Sequence, residues 1–242
     1  MKYTTLPNSD IEVSKICLGT MTFGEQNTEA EGHAQMDFAL EKGINFFDTA
    51  EMYSVPGRKE TYGSTEKIIG TWFKKTGNRD KVILASKIAG PNPGLSYIRE
   101  NMDFSPASIA LSIEKSLSRL QTDYIDLYQL HWPERKTNFF GQRGFKVQND
   151  AWEDNIHNVL ETLDTFIKAG KIKNIGLSNE TPWGIMRFLE ESKYHNLPKI
   201  KTVQNPYSLL NRLFENGSAE VSIRENVGLL AYSPLAFGVL SG

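Results

Sequence analysis

The chain has 242 residues, 39% of them hydrophobic, enough for one sizeable core. Its 27 basic residues face 29 acidic ones, and this balance argues against a nucleic-acid footprint. One cysteine, Cys17, excludes an internal disulfide and fits a reducing, cytoplasmic setting.

The opening "MKYTTLPNSDIEVSKI" reads as a hairpin, two short alternating segments around the turn chemistry of "PNSD". It has no apolar leader core, and no run in the chain reaches membrane-spanning length. A regular alternation follows. Strands are expected at Lys15–Gly19, Ile44–Thr49, Val82–Lys87, Tyr124–His131, Ile172–Ser178, Thr202–Asn205 and Leu229–Ser233. Several are apolar without clean alternation, as strands covered on both faces are. Amphipathic helices lie between them. In "SPASIALSIEKSLSRL", Ser105 suits the N-cap and Pro106 the first helical position. Ile109, Ile113, Leu117 and Leu120 then form one stripe. A second helix is expected from Trp152 to Ala169, with Ile156, Leu160, Leu163 and Ile167 inward and Gly170 ending it. Thr181 and Pro182 open a third, with Met186 and Leu189 in the core.

Seven strand–helix steps without a linker describe one α/β domain over residues 1–242, with the hairpin in 1–14 and strands one to seven in 15–235. A doubly wound sheet would show a Gly-rich first turn, but Gly19 and Gly24 in "GTMTFGEQ" make no G-x-G-x-x-G. A (β/α)8 TIM barrel instead puts its chemistry at the C-terminal ends of many strands. This is the expected fold, with the hairpin plugging the opposite face and strand eight missing.

The strand ends carry unusual residues. "INFFDTAEMY", residues 44–53, delivers Asp48 and Tyr53. "VILASK" ends in Lys87 and "YIDLYQLH" in His131. Each alone has an ordinary structural explanation; their shared register is the signal. A phenol titrates near pH 10, and a nearby ammonium from Lys87 is expected to lower that value. Asp48 would hold Lys87, and His131 would orient a carbonyl oxygen. The set donates a proton to an oxygen gaining charge but supplies no electron pair. His33, His131, His157 and His195 show no H-E-x-x-H or Cys/His pattern, so no metal is expected and an organic hydride donor is.

The stretches "LGTMTFGEQ", "GINFFDTAEMY", "ILASK", "RLQTDYIDLYQLHWP", "GKIKNIGLSNE", "VQNPYSLLNR" and "AYSPLAFGVLSG" resemble the aldo-keto reductases, in the bacterial branch related to potassium channel β subunits. The resemblance covers essentially the whole chain. It implies a (β/α)8 barrel that binds NADP(H), less often NAD(H), and reduces aldehydes and ketones. It implies the tetrad Asp48, Tyr53, Lys87 and His131, with Tyr53 as general acid. It places the nicotinamide carboxamide on Ser178, Asn179 and Gln204, with Tyr232 stacked on the ring. It puts the pyrophosphate over Ser233, Leu235 and Gly238. Gly19, Thr20, Met21 and Asp48 would lie beside the nicotinamide. The grip on the adenosine 2′-phosphate belongs on and after strand eight, past Gly242, so the chain is expected to be a C-terminally shortened member.

The segment 132–150 has the length of a functional loop, and Trp132, Phe139, Phe140 and Phe145 are candidates for a substrate wall. Arg58 and Lys59, in 54–64, are rim candidates for an anionic substrate. Three rival readings stand beside the reductase: a Schiff-base enzyme using Lys87, a cofactor-binding regulatory subunit without turnover, and an inactive fragment.

Overall fold

In the computed structural model, which describes residues 1–140, 142–146 and 149–242, the chain opens with the hairpin β1 (Tyr3–Thr5) and β2 (Glu12–Ser14). Seven parallel strands follow: β3 (Cys17–Gly19), β4 (Phe46–Asp48), β5 (Ile83–Ile88), β6 (Ile125–Leu130), β7 (Ile172–Ser178), β8 (Thr202–Pro206) and β9 (Gly228–Tyr232). They pair in strict chain order, β3 to β9. The helices that connect them are α1 (Glu29–Glu41), α2 (Ser64–Thr76), α3 (Pro106–Leu120), α4 (Ile156–Lys168), α5 (Pro182–His195) and α6 (Ser218–Arg224). This is seven-eighths of a (β/α)8 barrel. Among the described residues, β3 and β9 are its two edges.

Alternation along each strand sorts the side chains. Phe47, Leu84, Tyr128, Ile175 and Val203 face the helices and join the main core. Phe46, Ala85 and Leu127 point the other way, into a smaller cluster with Leu6 and Val13 of the hairpin. The hairpin is therefore the floor of the barrel. Asn45, ahead of β4, fastens it: the Ser14 amide donates to Asn45 Oδ1 at 2.7 Å, and Asn45 Nδ2 donates to the Glu12 carbonyl at 3.1 Å. On the far side, Lys201 Nζ donates to the Asn8 carbonyl at 2.7 Å, and Asn8 Nδ2 donates to that of Asn226 at 3.1 Å.

The helix starts follow their caps. The Ser105 hydroxyl accepts from the Ser108 amide, and Pro106 opens α3. The Thr181 hydroxyl accepts from the Gly184 amide ahead of α5. The helix expected from Trp152 begins only at Ile156, because Asp154 Oδ1 accepts from the Ile156 amide and turns the chain there. Met186 is half-buried at the edge of the core, whereas Leu189 is inside it. Strand boundaries move by at most two residues from expectation. Ile172–Ser178 matches, Lys87 falls one residue before the end of β5, and His131 falls one residue after β6.

One glycine sets how closely two helices approach. A Cβ on Gly70, in α2, would sit against the Arg119 carbonyl oxygen and 2.8 Å from the Leu120 carbonyl carbon of α3. Backbone cannot yield as a side-chain tip can. Gly70→Ala is therefore expected to cost about 1–3 kcal/mol, read as a lower urea midpoint at unchanged slope, despite alanine's better helix propensity.

Candidate active site

At the C-terminal end of the sheet, the interior positions are polar. Asp48 ends β4, Lys87 lies on β5, Gln129 on β6, and Gln204 on β8. Lys87 is fully buried, and its Nζ donates to Asp48 Oδ2 at 2.5 Å and to the Thr49 carbonyl at 2.8 Å. Asp48 Oδ1 accepts from Gln204 Nε2 at 2.8 Å and from Gln129 Nε2 at 3.2 Å. One carboxylate thus collects donors from three other strands. A buried ammonium requires such a partner.

Tyr53 stands on the loop after β4, buried, with Lys87 Nζ 5.0 Å from its ring centroid. Its Oη is 3.5 Å from His131 Nε2. The His131 amide donates to the Ile88 carbonyl at 3.0 Å, so the β5–β6 ladder aims the imidazole at the phenol. All four residues of the expected tetrad come together.

Electrostatics at the tetrad differ from the expectation in one respect. Lys87 does pull the Tyr53 phenol down, but burial outweighs it and Asp48 opposes it. The phenol therefore lies above its ordinary value of 10.0, not below. Desolvation had no residue of its own in the sequence pattern. For Lys87 itself, burial pushes down while Asp48 and Tyr53 push up, and the net shift is upward from 10.5. His131 is driven well below 6.5 by burial and then by Lys87. At neutral pH the site holds a neutral phenol, a neutral imidazole and an ammonium.

The other expected residues form the rest of this end. Gly19 pairs with Asp48 in register. Thr20 is buried, and its hydroxyl donates to the Asp48 carbonyl at 2.8 Å. Met21 is exposed, and its carbonyl accepts from the Val55 amide at 2.8 Å, tying the first loop to the one bearing Tyr53. Ser178 Oγ donates to the Gln204 carbonyl at 2.9 Å. Asn179 Nδ2 donates to the His131 carbonyl at 2.9 Å, and the Tyr232 hydroxyl donates to Asn179 Oδ1 at 2.7 Å. Ser233, Leu235 and Gly238 lie in the turn after β9, with Leu235 exposed.

Within segment 132–150, residues 141, 147 and 148 lie outside the described residues. Trp132 is buried behind His131, ring centroids 4.9 Å apart, and clusters with Ala89, Leu95 and Ile98. Phe139 packs against that cluster. Phe140 is exposed but reaches Trp132 at 5.8 Å. Phe145 is exposed and outside the cluster. Arg58 is mostly exposed and 3.6 Å from Glu25.

Sequence reasoning passed over Glu51, between Asp48 and Tyr53. It is buried, and its Oε1 accepts from Arg99 Nη1 at 2.5 Å and from the Ala89 amide at 2.7 Å. Its Oε2 accepts from Ser112 Oγ at 2.6 Å. The loop bearing Tyr53 is thereby bound to the segment after β5 and to α3. A charged residue inside "DTAEMY" was the available signal.

A model of the aldo/keto reductase family matches residues 15–242. The chain belongs to that family. It is 52% identical to Protein tas of Escherichia coli K12 over all of this chain and 70% of the relative's length. It is 37% identical to the "uncharacterized oxidoreductase YrpG" of Bacillus subtilis, over all of this chain and 69% of that one. An aldo-keto reductase of Babesia bovis is 39% identical over 67% of this chain and 61% of its own. Membership is family-level evidence for NADP(H)-linked aldo-keto reductase activity and a small-molecule carbonyl substrate. Among the described residues, no helix is long and apolar enough to cross a membrane.

Two predictions follow from burial. His131 stays neutral when the unfolded chain protonates, so stability is full above pH 6.5 and falls as pH drops through the gap to the depressed folded value. The slope is about 1.4 kcal/mol per pH unit. It is expected in wild type and absent in His131→Gln, measured by denaturant unfolding between pH 7 and 5. Glu51→Gln leaves the buried Arg99 without its counter-charge. A loss of about 3–5 kcal/mol is expected in the same assay at pH 7.

Proposed function

We propose that this protein reduces aldehyde or ketone carbonyls to alcohols with NADPH, using Tyr53 as the general acid. The observation that carries the reading is the convergence of Asp48, Tyr53, Lys87 and His131 from three strand ends and one loop into a single buried cluster.

The side chains present suit a nicotinamide dinucleotide. Asn179 and Gln204 offer amides at adjacent strand ends beside the Ser178 hydroxyl, matching the donors and acceptors of a carboxamide. Tyr232 provides a half-buried aromatic face next to them. The following turn contains Ser233, Ala236, Phe237 and Gly238 at positive φ and has no acidic side chain, which suits a pyrophosphate at its backbone amides. Gly19, Thr20 and Met21 would border the nicotinamide. NADPH, when bound, supplies the hydride that the protein lacks.

The residues do the rest. The Tyr53 phenol passes its proton to the carbonyl oxygen as negative charge grows there. Holding that phenol above its ordinary value keeps the proton in place before reaction. The Lys87 ammonium then stabilises the phenolate left behind, with Asp48 holding it in position. The imidazole of His131, neutral with Nε2 toward Tyr53, donates to the same oxygen and orients the carbonyl. In the oxidative direction Tyr53 takes the proton back. A Schiff-base role for Lys87 is disfavoured, since its neighbours keep it charged.

The test is NADPH oxidation followed at 340 nm with a panel of small aldehydes and ketones. Wild type is expected to turn over. Tyr53→Phe should lower kcat by about 100- to 10,000-fold, the usual contribution of a positioned acid, with NADPH affinity by fluorescence titration unchanged. Turnover by Tyr53→Phe at the wild-type rate would remove the phenol from the reaction. Saturable NADPH binding with no turnover of any carbonyl would favour a regulatory binding subunit.

A further inference from the structure

Helices α4 and α5 run side by side on the outside of the barrel, away from the tetrad. Asp154, just ahead of α4, meets Arg187 of α5 at 2.9 Å, and His157 meets Glu191 at 3.2 Å. His195 is one turn beyond Glu191 and reaches the same carboxylate oxygen. His157 Nδ1 is 3.2 Å from Glu191 Oε2, and His195 Nε2 is 3.3 Å from it. The two imidazole centroids are 4.5 Å apart. One ligand atom from each residue lies within 4.8 Å of the other two.

We propose that His157, Glu191 and His195 form a binding site for a borderline divalent transition metal, zinc foremost. Four observations support it. The first is chemical: two imidazoles and one carboxylate are a zinc donor set that leaves a fourth position for water. The second is metric. With metal–ligand bonds of about 2.0–2.1 Å, a tetrahedron has edges of about 3.3 Å. Both nitrogen-to-oxygen separations already match that edge.

The third observation is outer support. His157 Nε2 is 3.4 Å from Glu161 Oε1, so ligation through Nδ1 leaves the other nitrogen facing a carboxylate. That arrangement fixes the tautomer and raises ligand basicity. Glu191 Oε1 accepts from Arg187 Nη2 at 2.7 Å, which turns Oε2 toward the histidines. The fourth is charge. Glu161 lies beside His157, and Asp154, Glu190 and Glu191 all pair with Arg187, so among the described ion pairs here four carboxylates meet one guanidinium. Glu191 is 14% exposed, His157 38% and His195 51%, so the ligands are anchored yet reachable. No local motif reveals this site, because the Glu191–His195 pair lies 34 residues from His157 and meets it only through helix packing.

The test is calorimetric titration of the metal-free full chain with zinc chloride, with cobalt(II) absorption as a second probe. One equivalent is expected, with visible cobalt bands of tetrahedral intensity. His157→Gln and His195→Gln should each remove binding. Glu161→Gln should weaken it about 10- to 100-fold, as loss of a ligand-orienting partner does. His33→Gln, changed on α1, should leave it intact. The proposal is overturned if wild type gives no stoichiometric isotherm, or if the His157→Gln/His195→Gln double variant, folded by circular dichroism, binds as wild type does.

Discussion

The buried pair of Lys87 and Asp48 is the constraint on which the upper half of this barrel depends. An ammonium with no exposure to water is costly unless its partner is fixed. Asp48 is fixed because Gln129 and Gln204 hold its second oxygen. The pair and its amides tie β4, β5, β6 and β8 into one layer. The same charges set the ionisation of their neighbours. His131 is neutral partly because Lys87 lies close, and Tyr53 keeps its proton because burial outweighs that ammonium. The fold and the ionisation of these side chains draw on one electrostatic arrangement.

Around that layer, anchoring is duplicated. Tyr53 is carried by a loop with no regular structure of its own, yet Glu51 binds the loop to the Ala89 amide, Arg99 and Ser112. Met21 and Val55 join it to the loop after β3. Trp132 packs behind His131. In the proposed reaction a positioned phenol needs this support, since small displacements of a reacting group cost rate steeply.

The periodic features were legible from residues alone. Seven strand cores, the caps at Ser105 and Thr181, and the tetrad at successive strand ends all follow from local pattern. What depended on distance was not. The start of α4 shifted to Ile156 because an aspartate two residues earlier captured its amide. The rise in the Tyr53 phenol came from desolvation, a property of the assembled fold. Glu51 was hidden because its partner Arg99 lies 48 residues away. Phe145, an aromatic in a promising loop, stands in solvent, since composition does not say which way a loop side chain faces.

The hairpin floor has a bearing on biosynthesis. Its strands are made long before β9, yet Asn8 bonds to Asn226, 218 residues later. A Cβ on Gly228, at the start of β9, would sit 3.0 Å from Pro7, so the hairpin's turn is also seated by late-made chain. Until those residues emerge, Leu6, Val13 and the apolar ends of β4 to β6 have an incomplete cover. Closures of such long sequence separation are slow, and exposed apolar surface in the interval invites association. Final seating of the hairpin floor therefore waits on the synthesis of β9, whatever the order in which the strands between them pair.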